Sequence, residues 1–142
     1  MTYRILFGES DLVSRWIAAQ IKDAPDLTGA VAFGAVREDM LIGGIAFTEH
    51  RGTEVRVTIA GYGSWLTRRL LRAGCAYAFE DLGCRRMTAI IKRTNRASRT
   101  VCERIGFKLE GTHRQAYEDG GTALSYGMVR DECKWLKGSD RG

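Results

Sequence analysis

Asn95 and Ser98, three residues apart in the run NRAS, are the pair whose types and spacing most directly suggest chemistry. An asparagine amide can bond a ligand that itself carries amides, and a serine one helical turn on can stand beside a reacting sulfur. The same spacing also describes a helix N-cap and its third residue, with Asn95 accepting a backbone N–H and Ser98 an ordinary first-turn residue. The second candidate is the segment GYGSWLTRR, residues 61–69. Ser64 suits an N-cap, and the unpaired amides and positive dipole end of a helix starting there favour a phosphate. Arg68 and Arg69, in its first turn, would add charge-assisted bonds. A capped surface helix with a solvated basic face fits that spacing too.

These groups need elements to bring them together, and hydrophobic periodicity supplies them. Residues 3–7 form a short apolar strand. Ser10 caps a helix over 11–22, with Leu12, Val13, Trp16, Ile17 and Ile21 on one face and Pro25 beyond its end. Three strands follow at 30–36, 40–47 and 54–60, joined by turns at Glu38-Asp39 and Arg51-Gly52. In the last of them Val55, Val57 and Ile59 alternate with Glu54, Arg56 and Thr58. The helix capped by Ser64 runs over 65–82, with Leu71, Cys75, Ala78 and Leu82 in one stripe and Arg68, Arg69 and Arg72 away from it. Gly83 stops it.

Residues 87–91 read as an apolar central strand with a parallel neighbour. Residues 95–105 are helical, with Val101, Cys102 and Ile105 inward and Gly106 ending the helix. Residues 107–111 and 123–129 form a hairpin around Asp119-Gly120-Gly121. A short helix over 131–137 closes a single domain spanning 1–137, and 138–142 is expected to be a disordered tail. The order β-α-β-β-β-α-β-α-β-β-α defines an α/β (α+β) domain whose mixed sheet is flanked by helices. Strand 54–60, helix 65–82 and strand 87–91 make a βαβ crossover. Its helix N-terminus opens at the strand's C-terminal end, where ligands of parallel sheets bind.

Composition narrows the function classes. At 142 residues, 44% hydrophobic and 27% charged, the chain reads as one soluble globular domain. No apolar run is long enough to span a bilayer, and residues 1–7 lack the pattern of a signal peptide, so a cytoplasmic protein with no membrane partner is expected. Cys75, Cys84, Cys102 and Cys133 form no CxxC pair and have no histidine nearby, which points to reduced, buried thiols and no metal site. The net charge of +5 suits an anionic ligand or partner. A 3′-phosphorylated nucleotide cofactor and nucleic acid both qualify, and a homodimer is left open.

The span from about 88 to 135 resembles the C-terminal half of the GNAT superfamily of N-acetyltransferases, especially the branch of ribosomal-protein N-terminal acetyltransferases. The residues that carry this are NRAS (95–98), ERIGFKLEG (103–111), Arg114 and SYGMVRDECKW (125–135). ILFG (5–8) and SWLTR (64–68) are similar to short phage- and prophage-encoded members, which extends the resemblance over most of the chain. It implies a central mixed, mostly antiparallel sheet of about seven strands, with acetyl-CoA as co-substrate between strands 54–60 and 87–91. It also implies that the pyrophosphate sits on the amides of Gly63, Ser64, Trp65, Leu66, Thr67, Arg68 and Arg69. The pantetheine would lie near Asn95 and the thioester near Ser98, with the backbone of Ile59, Ala60 and Gly61 polarising the acetyl carbonyl.

Two departures stand out. The family's phosphate loop reads Q/R-x-x-G-x-G/A, and here Trp65 and Thr67 stand near its last two glycine positions. The tyrosine that many members carry shortly before the GF dipeptide is Cys102 in this chain. In the ribosomal-protein branch the NxxS serine protonates the leaving thiolate instead, which points to Ser98.

The activity so implied is acetyl transfer from acetyl-CoA to a primary amine of a small molecule or protein. Such an amine, with a pKa of about 10.4, must first lose a proton, and the departing thiolate must gain one. Ser98 is the expected proton donor, with Tyr117 as its alternate. Glu54 is the expected base, followed by Glu49 or His50, while His113 is ambiguous. Trp16, Tyr62 and Trp65 are available to line an acceptor site. Two alternatives stand beside this: a CoA-donor enzyme of phage type that modifies a nucleobase, and a non-catalytic binding protein on a degenerate GNAT scaffold.

Overall fold

A computed structural model describes residues 2–137; the tail expected over 138–142 lies outside them. Seven strands make one sheet: β1 (Tyr3–Leu6), β2 (Val31–Arg37), β3 (Met40–Arg51), β4 (Glu54–Gly61), β5 (Arg86–Lys92), β6 (Lys108–His113) and β7 (Ala123–Val129). Their order across the sheet is β1-β2-β3-β4-β5-β7-β6. Every neighbouring pair is antiparallel except β4 and β5. The tight turn between β2 and β3 holds Glu38 and Asp39 at φ 53° and 65°, the left-handed pair that a two-residue hairpin needs.

Helix α1 (Ser10–Gln20) lies on β2, β3 and β4, and buries Val13 and Ile17 against Ala32, Ala46 and Ala60. Small strand residues there let the helix approach closely. The opposite face carries α2 (Arg68–Ala76) and α3 (Arg96–Ile105), whose Leu70, Leu71, Cys75, Cys102 and Ile105 pack on Val55, Val57, Ile59, Met87, Ala89 and Ile91. The alternation read in β4 therefore holds, with its valines and isoleucine in the larger core. A short helix, α4 (Lys134–Lys137), follows a 3₁₀ turn at Arg130–Glu132. All four cysteines are buried and none is in a disulfide. No helix among the described residues is long and apolar enough to cross a membrane.

Three expectations need correction. Ser10 does not cap α1: its hydroxyl accepts the backbone N–H of Ala32 at 3.0 Å, and no side chain caps the helix. The helix also stops at Gln20, and Leu12 is 53% exposed because Val13, Ser14 and Ile17 form the buried face. The second helix starts three residues later than expected. Thr67, at φ −91° and ψ 163°, is its N-cap, and Ser64 lies in the preceding loop. The cause is Trp65, whose ring is drawn into the core over the bare Cα atoms of Gly43 and Gly61, so residues 64–67 cannot join the helix. Finally, the segment expected to be helical up to residue 82 leaves α-geometry after Ala76 for a wider π-helical turn at Tyr77–Asp81. The Arg130 guanidinium donates to the Phe79 carbonyl there, an outside partner of the kind that breaks the regular ladder.

Candidate active site

β4 and β5 pair in parallel at only three positions: Glu54 with Arg86, Val55 with Met87, and Arg56 with Thr88. Beyond Arg56 the strands part, and no residue of β4 from Val57 to Gly61 is paired with one of β5. The parting opens a cleft of about 430 Å³, its open mouth included, walled by residues 57–59 of β4 and 89–92 of β5. Asn95, Ser98 and Cys102 of α3 line it, as does Tyr117 from the loop between β6 and β7. Because Ala89 and Ile91 point into the core beneath α2 and α3, Ile90 and Lys92 point to the other face. Asp23 and Pro25, from the loop after α1, border the cleft on that side. The cleft thus passes through the sheet. Ser98 also borders a neighbouring recess floored by Ile59, Ala60, Gly61 and Trp65.

Local folding explains these placements. Asn95 caps α3, its Oδ1 accepting the Ser98 N–H at 3.2 Å, and Gly106 ends the helix at φ 119°. Capping consumes the amide oxygen of Asn95 and leaves its NH₂ group available. At the start of α2, the Thr67 hydroxyl accepts the Leu70 N–H at 3.2 Å. The preceding loop is held through its carbonyls: the Tyr3 phenol donates to the Trp65 oxygen at 2.8 Å and Arg37 donates to the Ser64 oxygen at 3.1 Å. Among the described residues, none accepts the backbone N–H groups of residues 63–69. A fixed run of free amides at a helix N-terminus is what a phosphate requires. Arg68 and Arg69 are exposed beside it. The loop therefore fits a pyrophosphate without the family's usual glycines.

Burial raises the Tyr117 phenol above the ordinary tyrosine value, although the nearby Lys92 cation pulls it back. Burial pushes the Cys102 thiol up to about 12, with the Glu103 charge adding to the effect. Lys92 is held above its ordinary value by the hydrogen bonds it donates to Asp119 and Asp23, and Asp119 is held below its own, chiefly by Lys92.

The structure brings Asn95, Ser98 and Tyr117 to one cleft and sets Glu54 apart from them. Glu54 begins β4 at the closed end, where it accepts the Thr88 hydroxyl at 2.7 Å and stands 3.9 Å from Arg86. Ile59 lies five positions further on, about 17 Å along a strand. Glu49 pairs with Arg56 at 3.2 Å, and His50 Nε2 meets the Gly52 carbonyl at 3.0 Å, both also at that end. His113 lies on β6, 3.3 Å from the Ser125 hydroxyl. Of the aromatics considered for an acceptor, Trp65 is a core residue, whereas Trp16 and the exposed Tyr62 stand together on the α1 side, ring centroids 6.2 Å apart. Asp23, Lys92 and Asp119 escaped sequence reading because each is an ordinary surface-type residue far from the others in the chain.

The profile of the Acetyltransferase (GNAT) domain family matches residues 7–108, well over half of the chain. The chain belongs to that family. Among curated protein sequences, none matches it. Solved structures share the fold of this GNAT domain at low identity. Mutant forms of the spermidine/spermine N-acetyltransferase SpeG from Vibrio cholerae are 14% identical, with a TM-score of 0.72 over 97% of this chain and 99% of that one. The yncA structure from Salmonella typhimurium, solved with its cofactor acetyl-CoA, is 18% identical, with a TM-score of 0.71 over 93% and 96%. A GNAT-family acetyltransferase from Bacillus anthracis reaches 21% identity and a TM-score of 0.60 over 71% and 67%. GNAT acetyltransferases use acetyl-CoA, and the domain is that of an acyltransferase.

Proposed function

We propose that this GNAT domain is an acetyl-CoA-dependent N-acetyltransferase that acetylates a primary amine of a small molecule or protein. The observation that carries the reading is the parting of β4 from β5 beyond Arg56, with Asn95, Ser98 and Tyr117 all lining the opening. Acetyl-CoA, when bound, supplies an acyl group already activated as a thioester. Residues 63–69 would hold its pyrophosphate on their free amides, aided by Arg68 and Arg69. The Asn95 NH₂ would donate to a pantetheine carbonyl. Ile59 and Gly61, which have no partner on β5, line the same recess as Ser98, and their N–H groups would donate to the acetyl oxygen. Ala60 between them turns its N–H to β3, in step with the Tyr62 N–H that donates to Ile42.

Ser98 and Tyr117 supply the hydroxyls that can protonate the leaving sulfur. The NRAS motif, shared with the ribosomal-protein branch, favours Ser98. Tyr117 is the alternate, because burial keeps its phenol protonated. The likeness of SWLTR to phage-encoded members and a cytoplasmic location belong with this reading. So does an amine acceptor, which the fold's likeness to a spermidine/spermine N-acetyltransferase supports. Glu54 has no part in it.

Calorimetric titration with acetyl-CoA tests the proposal, with Arg68→Glu and Asn95→Ala as controls. Binding weakened by both substitutions is expected, and intact-mass analysis of amines and peptides should then reveal the acetylated class. Absence of binding at millimolar acetyl-CoA would overturn it.

A further inference from the structure

Lys92 ends β5 where the strands diverge, and its side chain turns to the α1 side of the sheet, away from α3. Only 10% of that side chain is exposed, and its Nζ lies 2.6 Å from Asp23 Oδ2 and 2.6 Å from Asp119 Oδ2. Asp23 belongs to the loop after α1, and Asp119 to the loop between β6 and β7. They are separated from Lys92 by 69 and 27 positions in the chain. One ammonium therefore fastens two loops that reach the cleft from different parts of the fold.

The β6–β7 loop is built around this contact. Asp119 Oδ1 accepts the Gly121 N–H at 2.8 Å, the Gly120 N–H donates to the Tyr117 carbonyl at 2.8 Å, and the Ala116 N–H donates to the Gly121 carbonyl at 2.9 Å. Gly121 makes room for the lysine: a Cβ there would stand 2.8 Å from Lys92 Cε. The ammonium also sits 5.0 Å from the centroid of the Tyr117 ring, within cation–π range. The tied loop is thus the one that carries a hydroxyl of the cleft.

We propose that Lys92 is a positioning residue that clasps Asp23 to Asp119 across the α1-side mouth of the cleft, holding Tyr117 in place and limiting the girth of the amine that enters. The proposal rests on the acetyltransferase reading, in which acetyl-CoA takes the α2–α3 side and the acceptor arrives from the other. Width rather than charge is the selective property. The two carboxylates (−2) face Lys92 (+1) and Lys22 (+1), which also borders the cleft and acts on Asp119, so the charges at the mouth sum to zero. Removing Lys92 takes away the one cation bonded to both carboxylates and leaves the mouth with a net charge of −1, since Lys22 alone remains near Asp119, and the loops separate.

The test uses the full chain with Lys92→Met and Lys92→Arg, and with Asp119→Ala as a second way to undo the clasp should Lys92→Met fail to fold. Hydrogen exchange is read by mass spectrometry over residues 21–29 and 114–122. Acetyl transfer to 1,4-diaminobutane and to a lysine-bearing hexapeptide is measured alongside, with acetyl-CoA titrated calorimetrically. Lys92→Met should speed exchange about tenfold or more in both segments together, since a nearly buried ion group has lost its partner. Acetyl-CoA affinity should stay within about twofold, because the thioester side is untouched. The KM of the hexapeptide should fall relative to that of the diamine, kcat should drop as Tyr117 is freed, and Lys92→Arg should restore both. Unchanged exchange in either segment overturns the clasp, and so do released loops with an unaltered KM ratio. Failure of the unsubstituted chain to bind acetyl-CoA would instead overturn the acetyltransferase reading, and with it the role in specificity.

Discussion

The Thr67 hydroxyl donates to the Tyr3 phenol at 2.9 Å, joining the edge strand β1 to the cap of α2. The bond is the middle of a relay that runs from the Leu70 N–H through Thr67 and Tyr3 to the Trp65 carbonyl. Arg37, stacked 5.0 Å above the Tyr3 ring, holds the neighbouring Ser64 carbonyl. A loop without the usual glycines is thereby kept in one conformation, the Ser64 and Trp65 carbonyls taken up by Arg37 and Tyr3 and the amides of residues 63–69 without an acceptor among the described residues.

Tyr3→Phe removes both hydroxyl contacts and keeps the ring. At about 1 kcal/mol per net hydrogen bond, stability should fall by about 1–2 kcal/mol, read from urea unfolding. Acetyl-CoA affinity should weaken about three- to tenfold, because the amides of residues 63–69 are no longer preorganised. A stability loss with unaltered affinity would separate the relay from the phosphate loop.

Glu54→Gln separates the expected base from the observed geometry. The carboxylate is bound to Thr88 and near Arg86 at the closed end of the strand pair, and Arg86 is shared with Glu110. A glutamine still accepts from Thr88, so acetyl transfer should stay within about twofold, whereas loss of a general base would cost about a hundredfold or more. Steady-state rates at saturating acetyl-CoA decide it.

The element order, the parallel β4–β5 pair and the Asn95 and Gly106 ends of α3 were legible in the sequence because local rules govern them: strand alternation, a capping residue, a left-handed stop. The start of α2 was not. Ser64 and Thr67 are both acceptable caps, and the choice is made by Trp65 finding space over Gly43 and Gly61, a contact between distant segments. Glu54 fails on position: the βαβ crossover puts the opening at the C-terminal end of β4, and Glu54 is the first residue of that strand, paired with Arg86 of β5. Lys92, Asp23 and Asp119 meet only in the folded chain. Nothing in their local sequence marks them.

Gly61→Ala tests the packing that sets the loop. A Cβ at this position would overlap the indole of Trp65, which is 4% exposed and cannot withdraw into solvent without uncovering core. Overpacking of this kind costs about 1–3 kcal/mol. Thermal unfolding should register it, and acetyl-CoA binding should weaken as well, since Gly61 floors the recess beside Ser98. The same substitution at Gly52, which has open space but a φ of 56° that strains an alanine, should cost stability and leave affinity unchanged.

Acid should destabilise the fold through identifiable carboxylates. Asp26 is held below its ordinary value chiefly by the Thr28 backbone N–H, Asp119 by Lys92, and Glu132 by Lys108. A carboxyl whose folded pKa lies below its unfolded one binds fewer protons in the native state. Its contribution is therefore present above the unfolded value of about 4 and is lost as pH falls through the folded value. The urea midpoint should drop between about pH 5 and pH 2, and Asp119→Asn should flatten that drop. An equal slope in the variant would remove Asp119 from the linkage.

Cys102 borders the cleft beside Ser98 and is the natural suspect for a covalent acyl carrier. Its surroundings argue otherwise. The residue is 1% exposed and its thiol is pushed up to about 12 by burial, so at neutral pH almost no thiolate forms, and the thiolate is the nucleophile. The acetyl group should pass directly to the amine within a ternary complex. Incubation with acetyl-CoA alone should leave the intact mass of the protein unchanged. Initial-rate plots against both substrates should intersect, where a double displacement would give parallel lines. A mass increase of one acetyl group that disappears in Cys102→Ser would reverse this assignment and make Cys102 the acyl carrier.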